Sequence, residues 1–172
     1  RNIMAEAPRM PIESGCPDPI QYMHPTMRRN YGQWAYHDRP RPGVLHHTSK
    51  HNEEIWTVRA GTQRQMDVYT IKKLCDISDE FGDGFMRFTI RSNIEFMVDA
   101  EAKVEPLIKA LQDAGFPVGG TGPTVSMISH TQGWLHCDIP GTDASGVVKA
   151  LMDEMYEEAQ QYASNNTVGL WT

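Results

Sequence analysis

Met86-Arg87-Phe88-Thr89-Ile90-Arg91-Ser92-Asn93-Ile94-Glu95-Phe96-Met97-Val98 is the stretch from which the fold can be read. Two runs rich in β-branched and aromatic residues, Phe85 to Ile90 and Asn93 to Val98, flank a short polar break, as paired strands do. Alternate side chains of a strand share a face. Met86, Phe88 and Ile90 are therefore expected to turn into a helix-covered core, with Arg87, Thr89 and Arg91 on the opposite face. At a rise of about 3.3 Å per residue, the two arginines would stand about 13 Å apart. Guanidinium groups stay charged and suit bidentate recognition of carboxylates and oxyanions. A plain solvated sheet face shows the same alternation, so the pattern by itself leaves both readings open.

Upstream, Val44 to Thr48 and Glu54 to Ala60 are β-rich runs joined by polar Ser49-Lys50-His51-Asn52, which predicts a hairpin. Residues 66–81 place Val68, Ile71, Leu74, Cys75, Ser78 and Phe81 at helical spacing, and Gly82 and Gly84 end that helix. After the quoted stretch, a second amphipathic helix is expected over about 101–114, with Val104, Leu107, Ile108 and Leu111 on one face and Gly115 as its stop. Two strands, helix, two strands, helix is an α+β layer: an antiparallel sheet with helices on one side. Further on, residues 117–123 form a glycine-rich loop and residues 124–139 read as strand then turn. Thr142 or Asp143 caps a last helix whose apolar face is Val147, Val148, Leu151, Met152, Met155 and Tyr156.

Residues 1–42 differ. Pro8, Pro11, Pro17, Pro19, Pro25, Pro40 and Pro42 remove backbone donors and bias their neighbours to extended conformations. Little periodicity remains, so this reads as an extended arm. It nevertheless carries Tyr22, Tyr31, Trp34 and Tyr36, whereas disordered tails are poor in aromatics. An arm laid over a partner, or over the chain's own core, accounts for both features. At the ends, Met4 reads as a start with residues 1–3 as upstream read-through, and Thr167 to Thr172 reads as a strand that stops abruptly, as in a fragment.

A net charge of −6 argues against a nucleic-acid binder, which usually carries a basic stripe. An anionic ligand would have to be held by a few placed cations. No apolar run approaches the roughly 20 residues that span a bilayer, and the first residues lack the layout of a secretory signal, so a cytoplasmic protein is expected. Cys16, Cys75 and Cys137 are too few and too far apart for a disulfide framework or a zinc pair. Ser129-His130-Thr131-Gln132-Gly133-Trp134-Leu135-His136-Cys137 is rich in side chains that bind or stack, yet its spacing fits no zinc rule, and on spacing alone a structural reading wins. Gly119 to Gly122 lacks the ending of a P-loop and the strand–helix setting of a dinucleotide fingerprint.

Longer blocks carry a resemblance. Val58-Arg59-Ala60-Gly61, Leu74-Cys75-Asp76-Ile77, Arg87 to Val98, Gly119-Gly120-Thr121-Gly122, His130 to Cys137 and Thr142 to Glu154 resemble, in order and from about residue 43 to 158, the dissimilatory sulfite reductase beta subunit. The arm, with Pro11-Ile12-Glu13-Ser14-Gly15-Cys16-Pro17-Asp18-Pro19, is more similar to the sulfur-oxidising branch of that family. Past Glu158 the similarity decays.

The resemblance implies an arm over residues 1–42, a nitrite/sulfite reductase ferredoxin-like half-domain over 43–118, and the start of a sirohaem and 4Fe-4S domain over 119–172. It implies sirohaem, a tetrapyrrole rich in carboxylates, coupled through a cysteine sulfur to a 4Fe-4S cluster. On that basis Arg87 and Arg91 become the expected catalytic contacts to sulfite and sirohaem, with Arg59 as a third cationic contact. Thr89, His130, Thr131 and Trp134 are the other expected cofactor contacts, and Cys137 matches the first of the cluster ligands. The remaining ligands would fall beyond Thr172, while Cys16 and Cys75 match no ligand position and read as structural. The implied activity is six-electron interconversion of sulfite and sulfide-level sulfur. The implied partners are an alpha subunit, in an alpha2beta2 heterotetramer, and a small sulfur-carrier protein. Taken literally the fragment is expected to be inactive alone, and a non-catalytic binding or regulatory module on the same sheet is the alternative.

Overall fold

A computed structural model describes residues 18–120 and 128–155. Residues 1–17 of the expected arm, with Cys16, the Thr121–Pro123 end of the glycine-rich loop, Tyr156 and the expected closing strand at Thr167–Thr172 lie outside the described residues.

The hairpin and both central helices form where their periodicity places them. β2 (Val44–Ser49) and β3 (Glu54–Gly61) pair antiparallel, with Val44 opposite Val58 and His46 opposite Trp56. Their turn is closed by Ser49, whose hydroxyl accepts from the backbone N–H groups of His51 and Glu53, and by Asn52 in the left-handed region. α2 (Val68–Phe81) starts at Asp67, whose carboxylate accepts from Thr70 N at 2.7 Å. α3 (Val104–Asp113) buries Val104, Leu107 and Leu111. β5 (Asn93–Val98) lies between β3 and the three-residue β4 (Met86–Phe88). With β1 (Trp34–Arg41) at one edge, the sheet order is β1-β2-β3-β5-β4, and each neighbouring pair is antiparallel.

One sheet face packs on the helices. Val44, Trp56, Val58, Ala60, Ile94, Phe96 and Val98 meet Leu74, Ile77, Val104, Leu107, Leu111 and Phe116 in one apolar cluster. At about 25 cal/mol per Å² of apolar surface removed from water, this burial is the main stabilising term. Ile55, Thr57, Asn93, Glu95 and Met97, which alternate with those strand residues, are buried too. The central strands are therefore covered on both sides.

Two expectations need correction. First, β4 stops at Phe88, and Phe88 and Ile90 are 69% and 91% exposed rather than turned into the core. The cause is local: Thr89 N donates to Asn93 O (2.8 Å), Asn93 N donates to the Thr89 hydroxyl (3.1 Å), and Ser92 takes φ +62°. Thr89 to Ser92 is thus a closed turn. Second, the arm is structured before it reaches residue 43. It contains a 3-10 turn (Pro19–Tyr22), a short helix α1 (Pro25–Arg29) that packs against β3, and an eight-residue strand β1 (Trp34–Arg41) paired to β2. β1 hides from pattern reading because it is an edge strand with nearly every residue exposed, so no apolar alternation is required of it. Pro40 is tolerated there because an edge strand need not donate outward.

Buried His24, just before α1, ties this segment to the body: its Nε2 lies 3.1 Å from Asp83 Oδ2, and Asp83 also accepts from Lys103 at 2.5 Å. Beyond the start of β2, residues 117–119 run beside β3 in its place. Gly61 N donates to Pro117 O, Gly119 N donates to Arg59 O, and Ala60 bridges Val118. That approach needs a glycine at Gly43 (φ +78°), where a Cβ would lie 2.7 Å from Gly119 N.

After residue 128 the described chain forms no strand. It makes a 3-10 turn (Gly133–Leu135) and a helix α4 (Ala144–Glu154) capped by Asp143, which accepts from Gly146 N at 3.0 Å. The apolar face predicted for this helix is not buried: Val147 and Leu151 are exposed. Val148 and Met152 instead line a cleft.

Candidate anion-binding face

Antiparallel register places Glu95 of β5 directly opposite Arg59 of β3 on one side and Arg87 of β4 on the other. All three belong to the sheet face turned away from α2 and α3. Arg59 Nε donates to Glu95 Oε1 at 2.9 Å, and Arg59 Nη2 donates to the same oxygen. Arg59 Nη1 donates to Gly120 O at 3.0 Å, which the docking of residues 117–119 makes possible. Arg87 Nη2 donates to Glu95 Oε2. The side chains of Glu95, Arg59 and Arg87 are 2%, 15% and 58% exposed, so exposure grows outward from a buried carboxylate.

A buried carboxylate survives only when paired and hydrogen-bonded. Here it receives both arginines and fixes them side by side. Arg87, more than half exposed, keeps N–H groups facing solvent. Nearby on the same face, His47 of β2 hydrogen-bonds His37 of β1, with Nδ1 to Nδ1 at 2.5 Å. Burial first, then the neighbouring His37, lowers the pKa of His47 to about 4, while Glu95 opposes the shift.

Arg91 is exposed and lies in the Thr89–Ser92 turn, beyond the end of β4, so it does not share a strand face with Arg87. Thr89 closes that turn with its hydroxyl. The turn is joined to the later segment by Ser129, whose hydroxyl donates to Ile90 O at 3.2 Å. His130 lines a cleft of about 720 Å³ with Thr62, Arg64, Ser92, Gln132 and Lys149, within the size range of small-ligand sites. Arg64 Nη1 donates to His130 O, and His130 Nδ1 donates to Thr131 O at 2.6 Å. Thr131 is exposed, and Trp134 is 68% exposed. Cys137 is a half-buried free thiol whose N–H donates to Gly133 O at 3.1 Å. Glu95 is the residue missed in the sequence; its signal was a lone carboxylate inside the apolar run Ile94-Glu95-Phe96.

These residues fit sirohaem and its cluster unequally. Paired guanidiniums, one open to solvent, suit a carboxylate-rich ligand. Among the described residues no group of three or more His, Cys, Asp or Glu could hold a metal ion, and Cys137 is a single thiol, so no step is derived through the cluster.

Residues 47–114 match the Nitrite/Sulfite reductase ferredoxin-like half domain. The chain is 47% identical over 142 residues to the sulfite reductase, dissimilatory-type subunit beta, of Archaeoglobus fulgidus, an alignment covering 78% of this chain and 39% of that protein. It is 46% identical over 147 residues to the subunit of the same name from Nitratidesulfovibrio vulgaris, covering 81% and 39%. For Megalodesulfovibrio gigas the figures are 46% over 145 residues, 80% and 55%. The chain is a relative of the dissimilatory sulfite reductase beta subunits. It spans about two fifths of the length of the first two of these subunits and just over half of the third. The crystal structure of dissimilatory sulfite reductase I matches the fold with a TM-score of 0.64 over 74% of this chain and 33% of that one, at 15% identity. The arginine–glutamate–arginine face therefore lies within the part of the chain that matches the ferredoxin-like half domain of nitrite and sulfite reductases.

Proposed function

We propose that this chain carries the cationic sheet face of a dissimilatory-type sulfite reductase beta subunit, which holds sirohaem carboxylates and sulfite. The observation that carries this reading is the convergence of Arg59 and Arg87 on buried Glu95, in a chain 46–47% identical to such subunits. Glu95 fixes both guanidiniums before any anion arrives, so little reorganisation is needed on binding. Arg59, pinned to Glu95 and Gly120, sets the position, and Arg87 presents N–H groups outward to the anion. Arg91 and Thr89 reach the ligand from the adjoining turn. His130 approaches it from the cleft side with Thr131 next to it in sequence, and Trp134 offers an exposed ring for stacking. Sirohaem, when bound, supplies the redox chemistry of a six-electron exchange between sulfite and sulfide-level sulfur. Cys137 would be one thiolate ligand of the 4Fe-4S cluster, within a cofactor-binding domain that begins near residue 119. The enzyme works in the cytoplasm with an alpha subunit, over which the N-terminal arm is laid, and with a small sulfur-carrier protein. Among the described residues, no helix is long and apolar enough to cross a membrane.

The test is a visible spectrum of the complete beta subunit, co-expressed with an alpha subunit and sirohaem biosynthesis. Sirohaem bands that weaken in Arg87→Ala and Arg91→Ala, while the complex stays soluble, are the expected result. A soluble complex without sirohaem bands would overturn the reading in favour of a binding module on the same sheet.

A further inference from the structure

We propose that His37 and His47 form a binding site for a divalent transition-metal cation of the copper, nickel or zinc class, which clamps β1 to the sheet. The two residues are direct register partners on β1 and β2. Their rings lie 4.7 Å apart at 73°, with Nδ1 facing Nδ1 at 2.5 Å. Two metal–imidazole bonds of about 2.0–2.1 Å at a tetrahedral angle place their nitrogens roughly 3.3 Å apart. The rings need to separate by less than about an ångström, a small side-chain rotation, to become a chelate. Exposed His37 opens the pair to solvent.

The proton shared between the two Nδ1 atoms must move to Nε2 of one ring, after which both neutral imidazoles present an Nδ1 lone pair to the metal. His46, the other imidazole at hand, points to the opposite face. It lies between Asp38 (3.3 Å) and Glu54 (3.5 Å) and stacks on Trp56, so it is not a third ligand. A two-histidine site completed by solvent selects metals by imidazole preference and by the general affinity order, with copper above nickel and zinc. β1 has a use for such a clamp: it is an exposed edge strand with two register irregularities. Trp34 reports on the site, with its ring 6.0 Å from His37 and 6.1 Å from His47. None of this depends on the sulfite reductase reading.

The experiment is calorimetric titration of the full chain with Cu²⁺, Ni²⁺ and Zn²⁺ at pH 7, beside His37→Gln, His47→Gln and, as a control in the hairpin turn, His51→Gln. Saturable binding with copper tightest, weakened about tenfold or more in the first two variants and unchanged in the control, is the expected result. Equal affinity in all the proteins, or no saturation, would overturn the proposal. Imidazole nitrogen resonances of the unsubstituted chain give a second reading that does not rely on any variant folding. Zinc must shift two histidines at Nδ1, and a spectrum in which no such pair moves overturns the proposal equally.

Discussion

Glu95→Gln tests the central feature of the site. Glutamine keeps the volume and one carbonyl oxygen but removes the charge and turns an amide N–H₂ towards one of the guanidiniums. Arg59, 15% exposed, donates twice to Oε1, and Arg87 donates to Oε2, so the substitution leaves a mostly buried cation without its counter-charge. Removing one partner of a buried ion pair costs about 3–5 kcal/mol. Arg87 is 58% exposed and regains water, which puts the expectation at the lower end, about 3 kcal/mol. Arg87→Ala removes an exposed partner and leaves Glu95 on Arg59, so its cost should be about 1 kcal/mol. Urea unfolding of the full chain, with a slope of about 2 kcal/mol per M, would show a midpoint about 1.5 M lower for Glu95→Gln and about 0.5 M lower for Arg87→Ala. In the double variant the two losses should fall short of adding, because Arg87 has already lost its carboxylate. If Glu95→Gln lies within about 0.5 kcal/mol of the parent, or costs no more than Arg87→Ala, Glu95 is not the clamp inferred here.

Acid should weaken the fold through His47. With its folded pKa near 4 against an ordinary value of 6.5, the unfolded chain takes up a proton that the fold refuses, so stability is full above pH 6.5 and falls as pH drops towards 4. His37, His46, Glu95 and Arg87 all act on the same ring. Allowing for its partial exposure, the loss should be about 2 kcal/mol, and His47→Gln should flatten that limb of a pH series of urea midpoints. Leu107→Ala, at a fully buried position between sheet and helices, should cost about 2–5 kcal/mol by the same assay. Gly43→Ala combines φ +78° with a Cβ 2.7 Å from both Gly119 N and Val118 Cγ1, and should cost more than about 1 kcal/mol while loosening residues 117–119 in hydrogen exchange.

The layer architecture was legible because its elements are strongly periodic. Leu107 and Leu111 on α3, or Val44 and Val58 across the hairpin, must meet one apolar core, and that requirement is written into their spacing. Where the requirement lapses, so does the signal. β1 is exposed on both faces and carries Pro40, so its eight residues resemble an irregular arm. β4 failed in the opposite direction: Phe88 and Ile90 continue an apolar alternation past the point where the Thr89 hydroxyl and the positive φ of Ser92 close the turn. Pattern alone cannot separate a strand from a turn that carries exposed apolar residues.

The candidate site was half legible for a related reason. Arg87 could be singled out as a cation on a strand, but Arg59 and Glu95 join it only through the β3-β5-β4 order, which no local window contains. That order also explains why Arg87 and Arg59, rather than Arg87 and Arg91, make the pair. Arg59 and Arg87 each stand about 5 Å from Glu95, so one carboxylate reaches both across about 10 Å, whereas residues four apart on one strand are separated by about 13 Å with no shared partner between them. A carboxylate between two guanidiniums cancels one charge and leaves the face net positive, while its burial prevents the arginines from drifting apart. An exposed arginine pair without Glu95 would carry more charge but no fixed spacing. For a ligand bearing carboxylates, fixed spacing discriminates more than charge does, because bidentate recognition depends on where the N–H groups point.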